Sequence, residues 1–220
     1  MAILVVGDIH GKVSAVEAAL NTGYPVVFVG DYLDSFTNSP EDSIKCLRLV
    51  LQSQRDGLAV ALKGNHEISY MDRSQRCSGW NPVIQSHIDA DPDLDLTELF
   101  DYYEAQGFFI SHAGVSNITL RDMDMTFEEY IKGGDFMQVG YRRGGWDRSG
   151  GLFWCDWRTE FVPVEGVKQI VGHTHGVEIR ENDGNYNIDC IPYEKRSQGY
   201  SKYNSILIEG GEVEFFSLDI

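Results

Sequence analysis

Five times in this chain a short apolar run stops abruptly in a polar cluster, and that repetition constrains the fold more than any other feature. Residues 2–6 (AILVV) run into GDIHG, 25–29 (PVVFV) into GDYLDS, 58–62 (LAVAL) into KGNHE, 108–110 (FFI) into SHAG, and 169–171 (QIV) into GHTHG. Each run has the length of a strand and is rich in β-branched or aromatic residues, which predicts five core strands. Polar side chains at five strand ends imply one shared rim, because ligands of open α/β sheets gather at the carboxyl ends of the strands.

The segments between the runs complete an α/β pattern. Residues 12–20 carry Val13, Val16, Ala19 and Leu20 at near-helical spacing and stop before Gly23. Ser39, Pro40, Glu41 and Asp42 form a helix start, with a capping hydroxyl, a proline at the first turn and early acids. Ile44, Leu47, Val50 and Leu51 then supply a buried face. Strand–helix–strand–helix–strand order predicts parallel pairing in the first half. Asp183-Gly184 and Gly210-Gly211 mark two hairpins, so the sheet system is expected to finish with antiparallel strands. The stretch 68–106, acidic and partly helical, and 116–150, bearing glycine and arginine with little periodicity, are read as insertions over the polar rim of a single domain spanning 1–220. A chain of 220 residues can bury one sizeable core.

The charge balance limits the partners. With 34 acidic against 18 basic side chains the formal net charge is −16, and such a surface repels a phosphodiester backbone unless cations intervene. Nucleic-acid polymers are therefore unexpected substrates, although a metal-bearing cleft reverses the field locally. Cys46, Cys77, Cys155 and Cys190 are widely spaced, which fits free thiols in a reducing compartment. The first apolar run is short and lacks a basic flank, and no run approaches the ~20 apolar residues of a membrane span. A cytoplasmic location is the expectation.

Chemistry concentrates at the rim. His10, His66, His112, His173 and His175 all sit in the polar clusters; only His87 lies elsewhere. With Asp8, Asp31, Asp34 and Asn65 they make nine candidate ligands or proton carriers. One ion needs about three or four protein ligands. Nine are too many for one ion and about right for two plus an acid/base pair. Oxygen and imidazole donors without thiolates suit manganese, iron or zinc. Any one cluster has a plain explanation, a G-D turn or a structural histidine. Five such clusters, each after a strand, do not.

These motifs resemble the calcineurin-like metallophosphoesterase superfamily. GDIHG, GDYLD, GNHE, SHAG and GHTH stand in its order over 7–175, and the sequence is most similar to the serine/threonine phosphoprotein phosphatase branch with its bacterial and phage relatives, which include diadenosine tetraphosphatases. LFWCDWR (152–158) and NIDC (187–190) are loosely similar to that branch as well. The resemblance implies two packed mixed β-sheets flanked by helices, with the metals at one edge. It implies that Asp8 and His10 hold a first divalent ion, that Asp31 bridges, and that Asn65, His112 and His173 hold a second. His175 matches a further histidine that many superfamily members use on the first ion. Manganese is the favoured pair of ions, with iron, zinc or nickel admitted. His66 would give a proton to the leaving oxygen, oriented and raised in pKa by Asp34. The nucleophile would be a water or hydroxide shared by the metals, with no covalent phosphoenzyme.

One departure bears on the substrate. The protein phosphatase pattern continues G-D-x-x-D-R-G, whereas Asp34 is followed here by Ser35 and Phe36. The missing arginine grips phosphate bidentately, which a serine cannot imitate. Arg73, Arg76, Arg142, Arg143, Arg148 and Arg158 are candidate replacements; Arg158, beside Trp154 and Trp157, is preferred, with Asn65 as a further phosphate contact. The leading expectation is a phosphomonoesterase acting on a phosphorylated protein or small phosphorylated molecule. The alternative is a hydrolase of dinucleoside polyphosphates or phosphodiesters. A non-catalytic interaction module is disfavoured because the ligands and the acid/base pair are all retained.

Overall fold

In a computed structural model, residues 1–35, 37–190 and 202–220 are described, and Phe36 lies outside them. The chain runs β1 (Ile3–Val6), α1 (Val13–Leu20), β2 (Val26–Phe28), α2 (Pro40–Arg55), β3 (Ala59–Ala61), α3 (Asn65–Met71) and α4 (Pro82–Ala90). It continues through β4 (Tyr102–Ala105), β5 (Phe108–Ser111), α5 (Asn117–Met123), α6 (Phe127–Gly133), β6 (Gln169–Val171), β7 (Arg180–Asn182), β8 (Asn185–Asn187), β9 (Lys202–Glu209) and β10 (Glu212–Asp219).

Two mixed sheets result. One has the order β10-β9-β1-β2-β3 and the other β4-β5-β6-β8-β7. The expected parallel pairing of the first half is present, with Leu4 opposite Val26 and Val27 opposite Val60. Both hairpins form at the glycine pairs. Asp183 and Gly184 take φ of 51° and 72°, and Gly210 and Gly211 take 60° and 87°, the double positive φ that a two-residue hairpin turn requires. The five polar-ended strands do not share one sheet: β1, β2 and β3 lie in the first and β5 and β6 in the second, so the rim is built where two sheets meet.

Strand alternation assigns the layers. Leu4 and Val6 face outward into a core with Ala15, Val16 and Ala19 of α1 and Ile44, Leu47, Val50 and Leu51 of α2. Val5 and Val27 face inward, where they meet Ile110, Ile170, Ile188, Ile206 and Ile208 between the sheets. The outer face of the second sheet packs Phe109 against Val115, Leu120, Tyr130, Leu152 and Phe153. The α2 start is as read: the Ser39 hydroxyl accepts from the Asp42 N–H, Asp42 returns the bond, and Pro40 opens the helix. Of the stretch 68–106, residues 82–90 form α4 and 102–105 form β4, the edge strand of the second sheet. Of 116–150, α5 and α6 are helical, Tyr141–Arg143 forms a short 3-10 turn, and an isolated bridge joins Gly140 and Asp147. No helix among the described residues is long and apolar enough to cross a membrane.

Candidate metal centre

The polar clusters converge as the strand ends imply. Asp8 and His10 follow β1, Asp31 and Asp34 follow β2, Asn65 and His66 open α3 after β3, His112 follows β5, and His173 and His175 follow β6. Four of them, His10, Asp31, Asp34 and His173, sit at φ between 46° and 64°. That left-handed conformation is disfavoured for side-chain-bearing residues and concentrates at functional sites. The motif glycines make room for the carboxylates: a Cβ on Gly64 would run into Asp31, and one on Gly172 into Asp8.

Two ligand groups share Asp31. Potential ligand atoms of Asp31, His112 and His173 lie within 4.8 Å of one another, as do those of His10, Asp31 and His66. The Asp31 Oδ2 atom is 3.4 Å from His112 Nε2, 3.7 Å from His10 Nε2 and 3.9 Å from His66 Nε2. Asn65 Oδ1 is 2.8 Å from both His112 Nε2 and His173 Nδ1. Asp8 Oδ2 is 4.0 Å from His10 Nε2, and the Asp8 carboxylate accepts the His173 backbone N–H.

The chemistry of these donors fits cations. His112 Nδ1 lies 2.9 Å from the Val29 carbonyl and His10 Nδ1 3.0 Å from that of Leu33, so each Nδ1 carries the hydrogen and each Nε2 a lone pair. The Asn65 amide donates to Cys77 Sγ at 3.1 Å, which turns its oxygen inward. Lone pairs of His112, Asn65 and Asp31 therefore point at one another. Burial pulls the His112 and His10 imidazoles below their usual pKa, Asp31 opposing, so protonation does not relieve the crowding. Asp8 is raised by burial and by the charges of Asp189 and Asp31. Asp31 itself is burdened by burial but is carried well below the usual carboxylate range by His112, His66, His10 and His173. Buried acids facing imidazole lone pairs are stabilised by metal ions.

His66 and Asp34 meet as a hydrogen-bonded pair. His66 Nδ1 and Asp34 Oδ2 are 2.8 Å apart with the Asp34 side chain fully buried. Burial lowers the His66 pKa, but the Asp31 charge, then the hydrogen bond and charge of Asp34, lift it to about 9. Asp34, the raising partner named from sequence, is thus joined by Asp31.

The cleft over this centre encloses about 720 Å³ and is lined by His10, Asp31, Asn65, His66, His173 and His175, together with Lys12, Arg76, Arg143 and Trp154. His175 faces Asp189, its Nδ1 3.4 Å from Oδ1, and is 41% exposed. Arg158, the preferred phosphate contact, stands outside the lining and donates to the His175 carbonyl. Arg143 does line the cleft, held by Asp156 at 2.8 Å, whereas Arg73 and Arg148 are paired at the surface with Asp89 and Asp122.

Residues 1–177 match the sequence model of the calcineurin-like phosphoesterase family. The chain belongs to that family. Among curated proteins it is similar to the asymmetrical bis(5'-nucleosyl)-tetraphosphatase PrpE of Oceanobacillus iheyensis, 26% identical, with 87% of this chain and 85% of that protein covered. Among solved structures it is similar to a serine/threonine phosphatase of Saccharomyces cerevisiae with similarity to human PP5. That match has a TM-score of 0.56 and 16% identity, and it covers 100% of this chain and 80% of that one. This family's fold of two mixed sheets flanked by helices is the one described above.

Sequence reasoning gave no role to two residues of the phosphoesterase centre. Glu67 is fully buried and accepts four backbone N–H groups, those of Asp31, Tyr32, Leu33 and Gly64. It ties the β2 loop to the start of α3, and its signal was the acid three residues after Gly64, the pattern of a helix N-terminus. Asp189, buried in the NIDC run, orients His175 and adds to the negative field at Asp8.

Proposed function

We propose that this calcineurin-like phosphoesterase hydrolyses phosphomonoesters by direct attack of water, with His66 as the proton donor to the leaving oxygen. The observation that carries the reading is the placement of His66 Nε2 3.9 Å from Asp31 Oδ2, at the edge of the shared ligand cluster. Two divalent ions, with manganese the best match to an oxygen-and-imidazole donor set, would be held by Asp8, His10, Asp31, Asn65, His112 and His173. Bound there, they would polarise the phosphoryl group and lower the pKa of water. Asp34 fixes the His66 ring through Nδ1, so the proton delivered is the one on Nε2. Cations held at Asp31 would cancel part of its field, leaving Asp34 as the partner that keeps His66 charged. Arg143 takes the place of the arginine missing after Asp34, and Asn65 adds a contact to the substrate phosphate. Water is the nucleophile in this reading, so no phosphoenzyme forms.

A second reading, hydrolysis of dinucleoside polyphosphates, is favoured by three cations lining the cleft (Lys12, Arg76 and Arg143) and by the tetraphosphatase relative that matches most of both chains. Steady-state turnover of p-nitrophenyl phosphate, bis-p-nitrophenyl phosphate and diadenosine tetraphosphate in manganese separates the two. Monoester turnover above the other two is expected. A higher kcat/KM on diadenosine tetraphosphate gives the second reading, and no turnover of any of the three with any divalent ion overturns both.

A further inference from the structure

We propose that Tyr70 is a positioning residue for the proton donor, acting on His66 through Asp34; this rests on the acid role of His66 given above. His66 and Tyr70 are four residues apart on α3 and so project from the same face of the helix. Between them they take both oxygens of Asp34: His66 Nδ1 engages Oδ2 and the Tyr70 hydroxyl engages Oδ1. The direction of each bond is fixed without seeing hydrogens. The Asn81 backbone N–H, 2.9 Å from the Tyr70 oxygen, can only donate, so the phenolic hydrogen must point at the carboxylate. The carboxylate in turn can only accept from His66 Nδ1–H, which leaves Nε2 toward the metal cluster.

The Tyr70 ring is itself held. It stacks on Trp80 at a centroid distance of 6.2 Å and 24° between planes, and the Arg76 guanidinium lies 3.9 Å over the Trp80 ring. Gln85 of α4 donates to the Tyr70 carbonyl and accepts from Trp80 Nε1. The segment 76–85 is therefore tied to Asp34 through the Tyr70 hydroxyl, and Arg76 from the same segment lines the cleft. Without that hydroxyl, Asp34 Oδ1 and the Asn81 N–H both lose a partner, and the carboxylate that holds the imidazole loses its second anchor.

The test is Tyr70→Phe, which keeps the ring and its stacking, compared on aryl phosphates of different leaving-group acidity in manganese. A proton donor matters most when the leaving oxygen is poor. The expected result is a kcat loss of about tenfold or more on phenyl phosphate and under about threefold on p-nitrophenyl phosphate, with KM and bound metal unchanged. In a His66→Asn background Tyr70→Phe should cost nothing further, because the two act through one proton. Equal slowing on both esters, an additive effect in the double variant, or no slowing at all would overturn the proposal. A second readout needs no turnover: the His66 Nδ1–H resonance should exchange with solvent faster in Tyr70→Phe than in the parent protein, and unchanged exchange also overturns it. If the parent protein turns over no ester, the function fails while the exchange measurement still decides the role of Tyr70.

Discussion

His66 is one imidazole among five at the rim, set apart from His10 and His112 by the carboxylate 2.8 Å from its Nδ1. His10 and His112 have backbone carbonyls at Nδ1, which leave them neutral and free to offer a lone pair; His66 has Asp34, which favours the charged ring. His66→Ala should accordingly lower kcat by ~10²–10⁴-fold while elemental analysis finds the metals still bound. For the phosphate contact the structure discriminates between arginines that look alike in sequence. Arg143→Ala should raise KM for a phosphate ester by about tenfold or more, the worth of one charge-assisted hydrogen bond. Arg158→Ala, outside the cleft, should leave KM within about twofold. Adjacent aromatics suggested Arg158, but Trp157 stacks on Phe161 instead, 4.3 Å between centroids.

At the scale of elements, the junction of the β2 loop with α3 is the piece on which the centre depends. A fully buried Glu67 receives four N–H donors, and its pKa rises to about 7 through burial and the Asp31 charge, with His66 and the backbone N–H groups opposing. Its two oxygens bind both sides of the loop, which is why Asp31 and Asp34 can sit at positive φ. Glu67→Gln replaces one accepting oxygen by an amide donor facing N–H groups. A loss of about 2 kcal/mol or more of stability is expected, read as a lower urea midpoint at unchanged slope, because hydrogen bonds to a buried charge are worth roughly 1.5–3 kcal/mol each. Periodicity located β1, β2, β3, β5 and β6 because their apolar runs are buried on both faces or nearly so. It left β4 inside a stretch read as insertion, since Tyr102–Ala105 is a half-buried edge strand with no apolar run to announce it.

For the molecule as a whole, buried carboxylates and lone pairs pointing at one another make the metal-free centre a source of instability. Loading with manganese at about 100 times its dissociation constant should add about 2.7 kcal/mol to the unfolding free energy, seen as a raised Tm that a chelator reverses. A Tm indifferent to divalent ions would remove the metals from the account. The sequence by itself determined the strand-and-helix order, the two glycine hairpins, the family's motifs and the membership of the rim, because burial periodicity, turn stereochemistry and donor chemistry are all local. Only the tertiary structure decided that the rim lies where two sheets meet and set His10, His66 and His112 at 3.7, 3.9 and 3.4 Å from one oxygen of Asp31. Tertiary packing likewise put Arg143 rather than Arg158 on the cleft and set Glu67 against the Asp31 backbone and Tyr70 against Asp34. Those are distances between segments tens of residues apart, and how separated strands pack is not written in any one of them.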